Sequence, residues 1–160
     1  LQVGGGIRDE ARIERYLELG IHRVILGTIA IEDFSFLERM VAKYGEKIAV
    51  GTDARDGKIA TRGWLETTEV DSMELCRRLD SAGVSTIIYT DIARDGAMQG
   101  TNLEAYRQLS QLVGCQIVAS GGISSLDEIK ALQEMKLYGA ILGKSLYTGA
   151  IDLKEALSLC

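Results

Sequence analysis

The sequence has 160 residues, which is enough for one domain with a substantial core, and its formal net charge of -5 argues against nucleic acid and acidic membrane surfaces as partners. No run of about 18 apolar residues predicts a membrane-spanning helix. The three cysteines lack the spacing of a metal site and a single histidine cannot build a histidine-based centre, so we expect no metal, reduced thiols and a cytoplasmic protein.

Short apolar runs alternate with amphipathic segments along the whole chain, and no proline or linker interrupts them, which predicts a single domain over residues 1–160. This alternation is typical of an α/β fold with a buried parallel sheet. The predicted strands are 1–3, 22–26, 47–51, 86–89, 116–119 and 140–142, with a short excursion at 58–61. The predicted helices are 9–19, 32–44, 71–82, 103–112, 126–134 and 153–159.

A glycine pattern occurs twice in this series. Gly6 precedes Gly27 by 21 residues, Gly122 precedes Gly143 by the same interval, and the two copies lie 116 residues apart. Four βα units of about 30 residues fit that offset, and eight such units close a (βα)8 TIM barrel. The sequence therefore predicts an incomplete TIM barrel of six βα units that correspond to strands three to eight, and we expect the first two units to be missing from the N-terminal side.

Each copy of the pattern predicts an anion-binding site. Glycines end two adjacent strands in each copy, and backbone N–H groups without side chains beside helix N-termini bind anions well. Two such sites on opposite sides of one barrel mouth indicate a small molecule with a phosphate at each end. An acidic protein can hold such a bisphosphate, because the donors are backbone amides.

Between the two glycine sites, polar residues follow the strands at the end where TIM barrels carry their active sites. Asp53 directly follows a buried strand and is a candidate acid or base, the alternative being a turn-capping role. Thr90 or Asp91 is expected to face the mouth. Asp95 and Gly96 lie in a loop that can approach a ligand, where a loop-capping role is the alternative.

The stretch Arg62-Gly63-Trp64 lies in the long connection after Asp53. A lone tryptophan in a polar loop is a candidate lid that stacks on a ligand. An apolar contact with the surface of the barrel is the alternative.

Taken together, six motifs resemble the phosphoribosylformimino-aminoimidazole carboxamide ribotide isomerase family of histidine biosynthesis. The resemblance covers the whole chain and the motifs are specific. They are Gly4-Gly5-Gly6-Ile7-Arg8, Gly51-Thr52-Asp53-Ala54-Arg55-Asp56-Gly57, Arg62-Gly63-Trp64, Thr90-Asp91-Ile92-Ala93-Arg94-Asp95-Gly96, Ser120-Gly121-Gly122-Ile123 and Leu142-Gly143-Lys144-Ser145-Leu146-Tyr147.

The resemblance implies a cytoplasmic TIM barrel that needs no metal or organic cofactor and catalyses an Amadori rearrangement of the aminoaldose ProFAR to the aminoketose PRFAR. Asp53 matches the family's general acid, and Thr90 matches a residue that supports the reacting centre. The residues implied in phosphate and substrate binding are Gly6, Arg8, Gly27, Thr28, Arg62, Trp64, Asp95, Gly96, Gly122, Gly143 and Lys144.

One departure from the family is large. Its general base is an aspartate at the end of strand one, and this sequence has no matching residue. We therefore predict that the 160-residue chain alone is inactive or nearly so. A turnover rate close to that of a complete barrel would contradict this.

Three alternatives stay open. The sister cyclase of the same pathway shares the repeat and the strand-five aspartate, but Gly-Gly-Ile at 121–123 and Gly143-Lys144 favour the isomerase. A dual-substrate isomerase that also acts on phosphoribosylanthranilate is possible, because Arg62 and Trp64 match the positions that resolve the two ligands. The third is a non-catalytic phosphate-binding fragment that self-associates through open barrel edges.

Overall fold

The computed structural model describes residues 1–159, and in it a parallel sheet alternates with helices. The six parallel strands pair in chain order and are β1 (Gln2–Gly4), β2 (Arg23–Leu26), β3 (Ile48–Arg55), β6 (Thr86–Asp91), β7 (Gln116–Ser120) and β8 (Gly139–Ala140). An antiparallel hairpin extends from the end of β3 and consists of β4 (Lys58–Thr61) and β5 (Glu66–Asp71). The sheet is curled, and the fold is an incomplete TIM barrel, as the sequence predicts.

One or two helices follow each strand of the parallel sheet, and those after β8 end the described chain. The helices are α1 (Glu10–Glu18), α2 (Thr28–Glu32), α3 (Phe34–Tyr44), α4 (Ser72–Ser81), α5 (Leu103–Leu112), α6 (Leu126–Glu134), α7 (Lys144–Tyr147) and α8 (Leu153–Leu157). Most begin at a short polar residue whose side chain accepts a backbone N–H of the first turn, which satisfies a donor that the helix itself cannot. These N-caps are Asp9, Asp33, Asp71, Asn102, Ser125 and Asp152.

The predicted order of elements is confirmed, and several details were wrong. The strand predicted at 47–51 is β3 and continues to Arg55, so Asp53 lies within the strand and does not follow it. The helix predicted at 32–44 begins at Phe34, because Asp33 caps it and a separate short helix, α2, ends at Glu32. The last strand is Gly139–Ala140 instead of 140–142. The last helix ends at Leu157 instead of residue 159. The polar stretch before α4 contains β5 and is not a loop.

The two faces of the sheet differ in what covers them. The outer face packs against the helices through a large core that includes Val50, Ile87, Tyr106 and Leu109, all fully buried or nearly so. On the inner face, Ala49, Ile88 and Val118 form a separate small cluster. Side chains of a strand alternate between the two faces. The residues that follow these three at two-residue intervals therefore point toward the barrel axis.

Both outer strands of the parallel sheet have one neighbour each, since β1 pairs only with β2 and β8 only with β7 among the described residues. Within the same residues, no helix combines the length and the apolar composition needed to cross a membrane.

Candidate active site at the carboxyl ends of the strands

The register of three strands sets three polar residues side by side on the inner face. Asp53 of β3 lies opposite Thr90 of β6, and Thr90 lies opposite Ser120 of β7. Of the two residues considered at the end of β6, Thr90 therefore faces inward. Asp91 points to the helix side, where its carboxylate accepts hydrogen bonds from the Asn102 amide at 2.8 Å and from the Ala93 N–H at 3.1 Å.

The β4–β5 hairpin brings Trp64 to Asp53. The indole Nε1–H donates a hydrogen bond to Asp53 Oδ2 at 2.8 Å. The turn that makes this possible contains three consecutive residues with positive φ, namely Arg62, Gly63 and Trp64. The side chain of Trp64 is partly exposed and that of Asp53 is half-buried, so the pair lies at the mouth and is reachable from solvent.

Arg62 connects the same hairpin to the start of α2. Its backbone N–H donates to the hydroxyl of Thr28 at 3.0 Å. Its guanidinium pairs with Glu66 at 3.0 Å and with Glu32 at 3.3 Å, all on exposed side chains. The predicted site residues Thr28, Arg62, Trp64 and Asp53 thus form one connected group.

Gly27 and Gly143, which the sequence pattern relates, have nearly the same backbone conformation. Their φ and ψ angles are -107° and -113° at Gly27 and -111° and -102° at Gly143, and each glycine precedes a short helix. No atom lies within 4 Å of the position that a Cβ would take at either glycine. The space beside both backbones is therefore open to a ligand, as anion binding through backbone amides requires.

The space beside Gly122, in contrast, is filled by the loop formed by residues 92–102. A Cβ at Gly122 would lie 2.7 Å from the Gly100 carbonyl oxygen and 2.9 Å from that of Arg94. At the neighbouring Gly121, a Cβ would lie 2.5 Å from the Asp91 carbonyl oxygen. Both glycines also have positive φ. They are thus needed for loop packing, whatever else their amides bind.

Lys144, another predicted site residue, is hydrogen-bonded to this loop. Its ammonium donates to the Gly96 carbonyl oxygen at 2.9 Å, although the two residues are 48 positions apart. Gly96, Gly122 and Lys144 are therefore assembled around the loop of residues 92–102. Asp95 lies exposed in the same loop and makes no hydrogen bond to another predicted site residue in the described structure.

The first glycine stretch is fixed by a residue that sequence reasoning missed. The Arg12 guanidinium donates to the Gly6 carbonyl oxygen at 2.8 Å, which ties the loop after β1 to the first turn of α1. Arg8 is exposed and follows Gly6 by two positions in the chain, and the Arg12 guanidinium is in contact with the Gly6 carbonyl. A phosphate near these amides would meet a positively charged environment.

Behind the row of polar residues, Tyr106 of α5 joins β6 to β7. Its buried hydroxyl lies 2.7 Å from the Ser120 carbonyl oxygen and 3.0 Å from that of Tyr89, and it accepts the Ser120 N–H at 3.0 Å. Burial raises the pKa of Tyr106 to about 12, so the hydroxyl stays protonated and can donate at neutral pH. The support between β6 and β7 is therefore uncharged at neutral pH.

The described residues contain no group of three or more histidine, cysteine, aspartate or glutamate side chains that could hold a metal ion. The two cysteines among them, Cys76 and Cys115, are free thiols. Burial raises the pKa of each to about 12, which makes both poor nucleophiles. The chemistry available at the strand ends is therefore that of carboxylates, hydroxyls and backbone amides.

Among the residues that sequence reasoning missed, Arg12 and Glu128 were detectable from the repeat. Glu128 and Arg12 lie 116 residues apart, at the same position of the repeat, three residues after an N-cap. The pair Ser125 and Glu128 also has the spacing of a capping box. Thr101, which donates to the Gly121 carbonyl oxygen at 2.7 Å, carries no such signal.

Comparison with known proteins gives a consistent result. A family model described as "Histidine biosynthesis protein" matches residues 1–152. The chain is 50% identical over 159 residues to a Brachyspira hyodysenteriae protein named 1-(5-phosphoribosyl)-5-((5-phosphoribosylamino)methylideneamino)imidazole-4-carboxamide isomerase, a match that covers 99% of this chain and 67% of the relative.

Two other relatives carry the same isomerase name. The Clostridioides difficile protein is 48% identical over 160 residues, covering 100% of this chain and 67% of the relative. The Ruegeria protein, numbered isomerase 2, is 51% identical over 160 residues, covering 99% of this chain and 67% of the relative. The chain thus spans about two thirds of the length of these curated relatives.

Proposed function

The chain belongs to the histidine biosynthesis protein family, and from that membership we propose that it forms the substrate-binding and acid-bearing part of an isomerase that converts ProFAR into PRFAR. The reaction is an Amadori rearrangement of an aminoaldose to an aminoketose, on a substrate with a phosphate at each end. The observation that carries the proposal is the position of Asp53, held by Trp64 on the inner face between the matched glycines Gly27 and Gly143.

In this proposal, Asp53 is the general acid. One carboxylate oxygen, Oδ2, is occupied by the Trp64 N–H, which leaves Oδ1 to carry the transferred proton. Protonation of the furanose ring oxygen lets the C1′–O bond break, and the nitrogen lone pair forms a Schiff base. A base then takes the C2′ proton and the electron pair returns to nitrogen, giving an enolamine that becomes the ketose.

The base of the second step is proposed to be the aspartate that the family has at the end of its first barrel strand, for which this sequence has no matching residue. Thr90, opposite Asp53 in the register, is proposed to support the reacting centre through its buried hydroxyl. Acid and base on opposite sides of the sugar allow both proton transfers without a metal or an organic cofactor.

The two phosphates are proposed to bind at the two glycine sites. Gly6, Gly27 and Thr28, with Arg8 and Arg12 nearby, supply one site. Gly96, Gly122, Gly143 and Lys144 supply the other. The open space beside Gly27 and Gly143 supports this assignment, because an anion can approach those amides directly.

Trp64 and Arg62 are proposed to cover the substrate between the phosphates, with Asp95 at the rim. Trp64 already contacts the acid, so its indole is placed to stack on a ligand that reaches Asp53. The Arg62 guanidinium is engaged with Glu32 and Glu66, and nothing in that geometry favours a second substrate such as phosphoribosylanthranilate.

Two further parts of the proposal concern the cellular location of the protein and its self-association. A cytoplasmic location is supported by the free thiols of Cys76 and Cys115. Self-association is proposed through the unpaired outer edges of β1 and β8, which present free backbone donors and acceptors. Light scattering over a range of protein concentrations tests the second point, and a monomer at every concentration would exclude it.

The proposed acid is tested with Asp53→Asn in a barrel completed to the length of the relatives. We expect turnover of ProFAR to fall by about 100- to 10,000-fold, the usual contribution of a general acid, while substrate affinity measured by calorimetry changes little. Asp56→Asn is the matched control, because Asp56 is an exposed turn residue with φ of 50°, a conformation that asparagine also tolerates. Loss of binding in Asp53→Asn, or turnover unchanged, would contradict the assignment.

A further inference from the structure

The carboxylate of Glu128 accepts hydrogen bonds from two separate segments. Oε1 accepts the backbone N–H of Thr101, at the end of the loop formed by residues 92–102. Oε2 accepts the N–H and the hydroxyl of Ser124 at 2.9 and 3.0 Å, and the N–H of Ser125 at 3.1 Å. One side chain on α6 thus joins the loop after β6 to the loop after β7.

That junction lies directly beside the second glycine site. Thr101 is buried and its hydroxyl donates to the Gly121 carbonyl oxygen at 2.7 Å. Its neighbour Gly100 approaches Gly122 so closely that no side chain fits between them. The far part of the same loop is held by Lys144 through the Gly96 carbonyl. Glu128 and Thr101 therefore hold one end of the loop, and Lys144 holds it at Gly96.

We propose that Glu128 is a positioning residue for the second phosphate, an inference that rests on the proposed function. By fixing Thr101 and the two serines, it keeps the loop of residues 92–102 against Gly121 and Gly122. The amides of Gly96 and Gly122 are then presented to the phosphate in one fixed arrangement before the ligand arrives. Such preorganisation improves affinity, because the cost of ordering the loop is met in the folded protein.

The Glu128 carboxylate is surrounded by hydrogen-bond donors that favour its charged form. Burial alone would raise the pKa of Glu128, whereas the hydrogen bonds from Ser124, Thr101 and Ser125 lower it by more, and the pKa lies below its usual value. These hydrogen bonds hold the ionised carboxylate in place between the two loops.

The related residue of the first copy supports a positioning role for this place in the repeat. Arg12 stands 116 residues before Glu128, also three residues after an N-cap, and it also ties its helix to the preceding glycine loop. The two residues have opposite charges because their partners differ, a carbonyl for Arg12 and N–H groups for Glu128. In both copies this residue joins its helix to a loop of the site, as a cationic donor in the first copy and an anionic acceptor in the second.

Glu128→Gln tests the inference on the chain itself. A glutamine keeps one acceptor oxygen but turns an NH2 group toward N–H donors, so at least one of the two segments is released. We expect amide hydrogen exchange at residues 96–102 to accelerate at least fivefold and the affinity for inorganic phosphate, followed by the NMR shift of the Gly122 amide, to fall at least fivefold. In a completed barrel, KM for ProFAR should rise similarly with kcat within twofold.

Two further variants complete the design. Glu134→Gln, an exposed position on the same helix, should match the parent chain in every measurement. Thr101→Val serves as the test if Glu128→Gln does not fold. It removes the hydroxyl that donates to Gly121 and keeps the backbone N–H, and we expect it to accelerate hydrogen exchange in the same loop.

The outcomes separate this inference from the proposed function. Lower thermal stability of Glu128→Gln with unchanged phosphate affinity would assign Glu128 to helix capping alone and overturn the inference, as would a parent chain that binds no phosphate. A completed barrel that does not turn over ProFAR would overturn the proposed function, while the exchange and phosphate measurements would still decide the role of Glu128.

Discussion

Trp64 and Asp53 are joined by a hydrogen bond of 2.8 Å from the indole N–H to the carboxylate, although Trp64 has a φ of 70° that costs a bulky residue free energy. The hairpin holds the residue in this strained conformation, and the contact it gains is with the proposed acid. We infer that the strain serves to orient the Asp53 carboxylate.

The first prediction follows from this pair. Trp64→Phe keeps an aromatic ring but removes the only donor of the side chain, so the Asp53 carboxylate loses its fixed orientation. We expect kcat for ProFAR to fall about tenfold or more in a completed barrel, because small displacements of catalytic groups are costly. Leu65→Ala, an exposed neighbour in the same turn, should leave kcat unchanged. Equal kcat for Trp64→Phe and the parent would contradict the orienting role.

A second prediction concerns the closest backbone approach at the site. Gly121→Ala would place a Cβ 2.5 Å from the Asp91 carbonyl oxygen, at a residue with φ of 95°. We expect the free energy of unfolding to drop by about 2–5 kcal/mol, the sum of steric overlap and backbone strain.

Urea denaturation measures this loss, with Gly114→Ala as the control. The nearest atom to a Cβ at Gly114 is 4.0 Å away, so that variant should be close to the parent in stability. If both glycine variants were equally stable, the loop of residues 92–102 would have to move freely away from β7.

A third prediction concerns the hydroxyl between β6 and β7. Tyr106→Phe removes a buried group that meets the Ser120 N–H and two carbonyl oxygens. The unpaired N–H then carries a desolvation penalty, and we expect a loss of about 1–3 kcal/mol in the free energy of unfolding. Tyr147→Phe, at a side chain that is 92% exposed, provides the comparison. A Tyr106→Phe protein as stable as the parent would mean that water replaces the hydroxyl.

A fourth prediction concerns pH and the contact between α1 and α3. Hydrogen bonds from Lys43 and then from Tyr44 lower the pKa values of Glu10 and Glu14. A carboxyl with a lowered folded-state pKa binds fewer protons when folded than when unfolded. Its stabilising contribution is therefore present above the ordinary glutamate pKa of about 4.3 and is lost as the pH falls through the folded value.

Lys43→Met removes the ammonium and tests this dependence. The free energy of unfolding should differ measurably between parent and variant at pH 7, and the difference should be small because the groups are exposed. Below about pH 4 the difference should shrink, because both carboxyls become protonated. Lys47→Met, on the exposed turn after α3, should show no pH-dependent difference. A constant difference at all pH values would assign the effect of Lys43 to its packing on Tyr44.

The sequence predicted the features that depend on local pattern or on repetition. Alternating apolar runs and amphipathic segments are strong local signals, and the 116-residue offset correctly paired Gly27 with Gly143, whose backbones match closely. Asp53 was proposed because it follows the apolar run at residues 47–51, and in the structure β3 continues through Asp53 and sets it opposite Thr90. Both inferences needed only the order of residues along the chain.

What the sequence did not reveal depends on contacts between distant segments. The strand β5 is mostly polar and forms because it pairs with β4, so no apolar alternation marks it. The choice between Thr90 and Asp91 was decided by strand register and by Asn102, eleven positions away. The hydrogen bond from Trp64 to Asp53 requires positive φ at three consecutive residues. Of these three, only Gly63 is a residue type that predicts positive φ.

The reversal of charge between Arg12 and Glu128 has a consequence for substrate direction. A clamp built from two equivalent halves would accept an asymmetric bisphosphate in either orientation, and only one orientation presents the ring oxygen to Asp53. The Arg12 guanidinium lies at the first glycine site, whereas the Lys144 ammonium and the Glu128 carboxylate both lie at the second, so the two halves differ in charge. If both glycine sites bind phosphate as proposed, this difference in charge is a means of distinguishing one end of the substrate from the other.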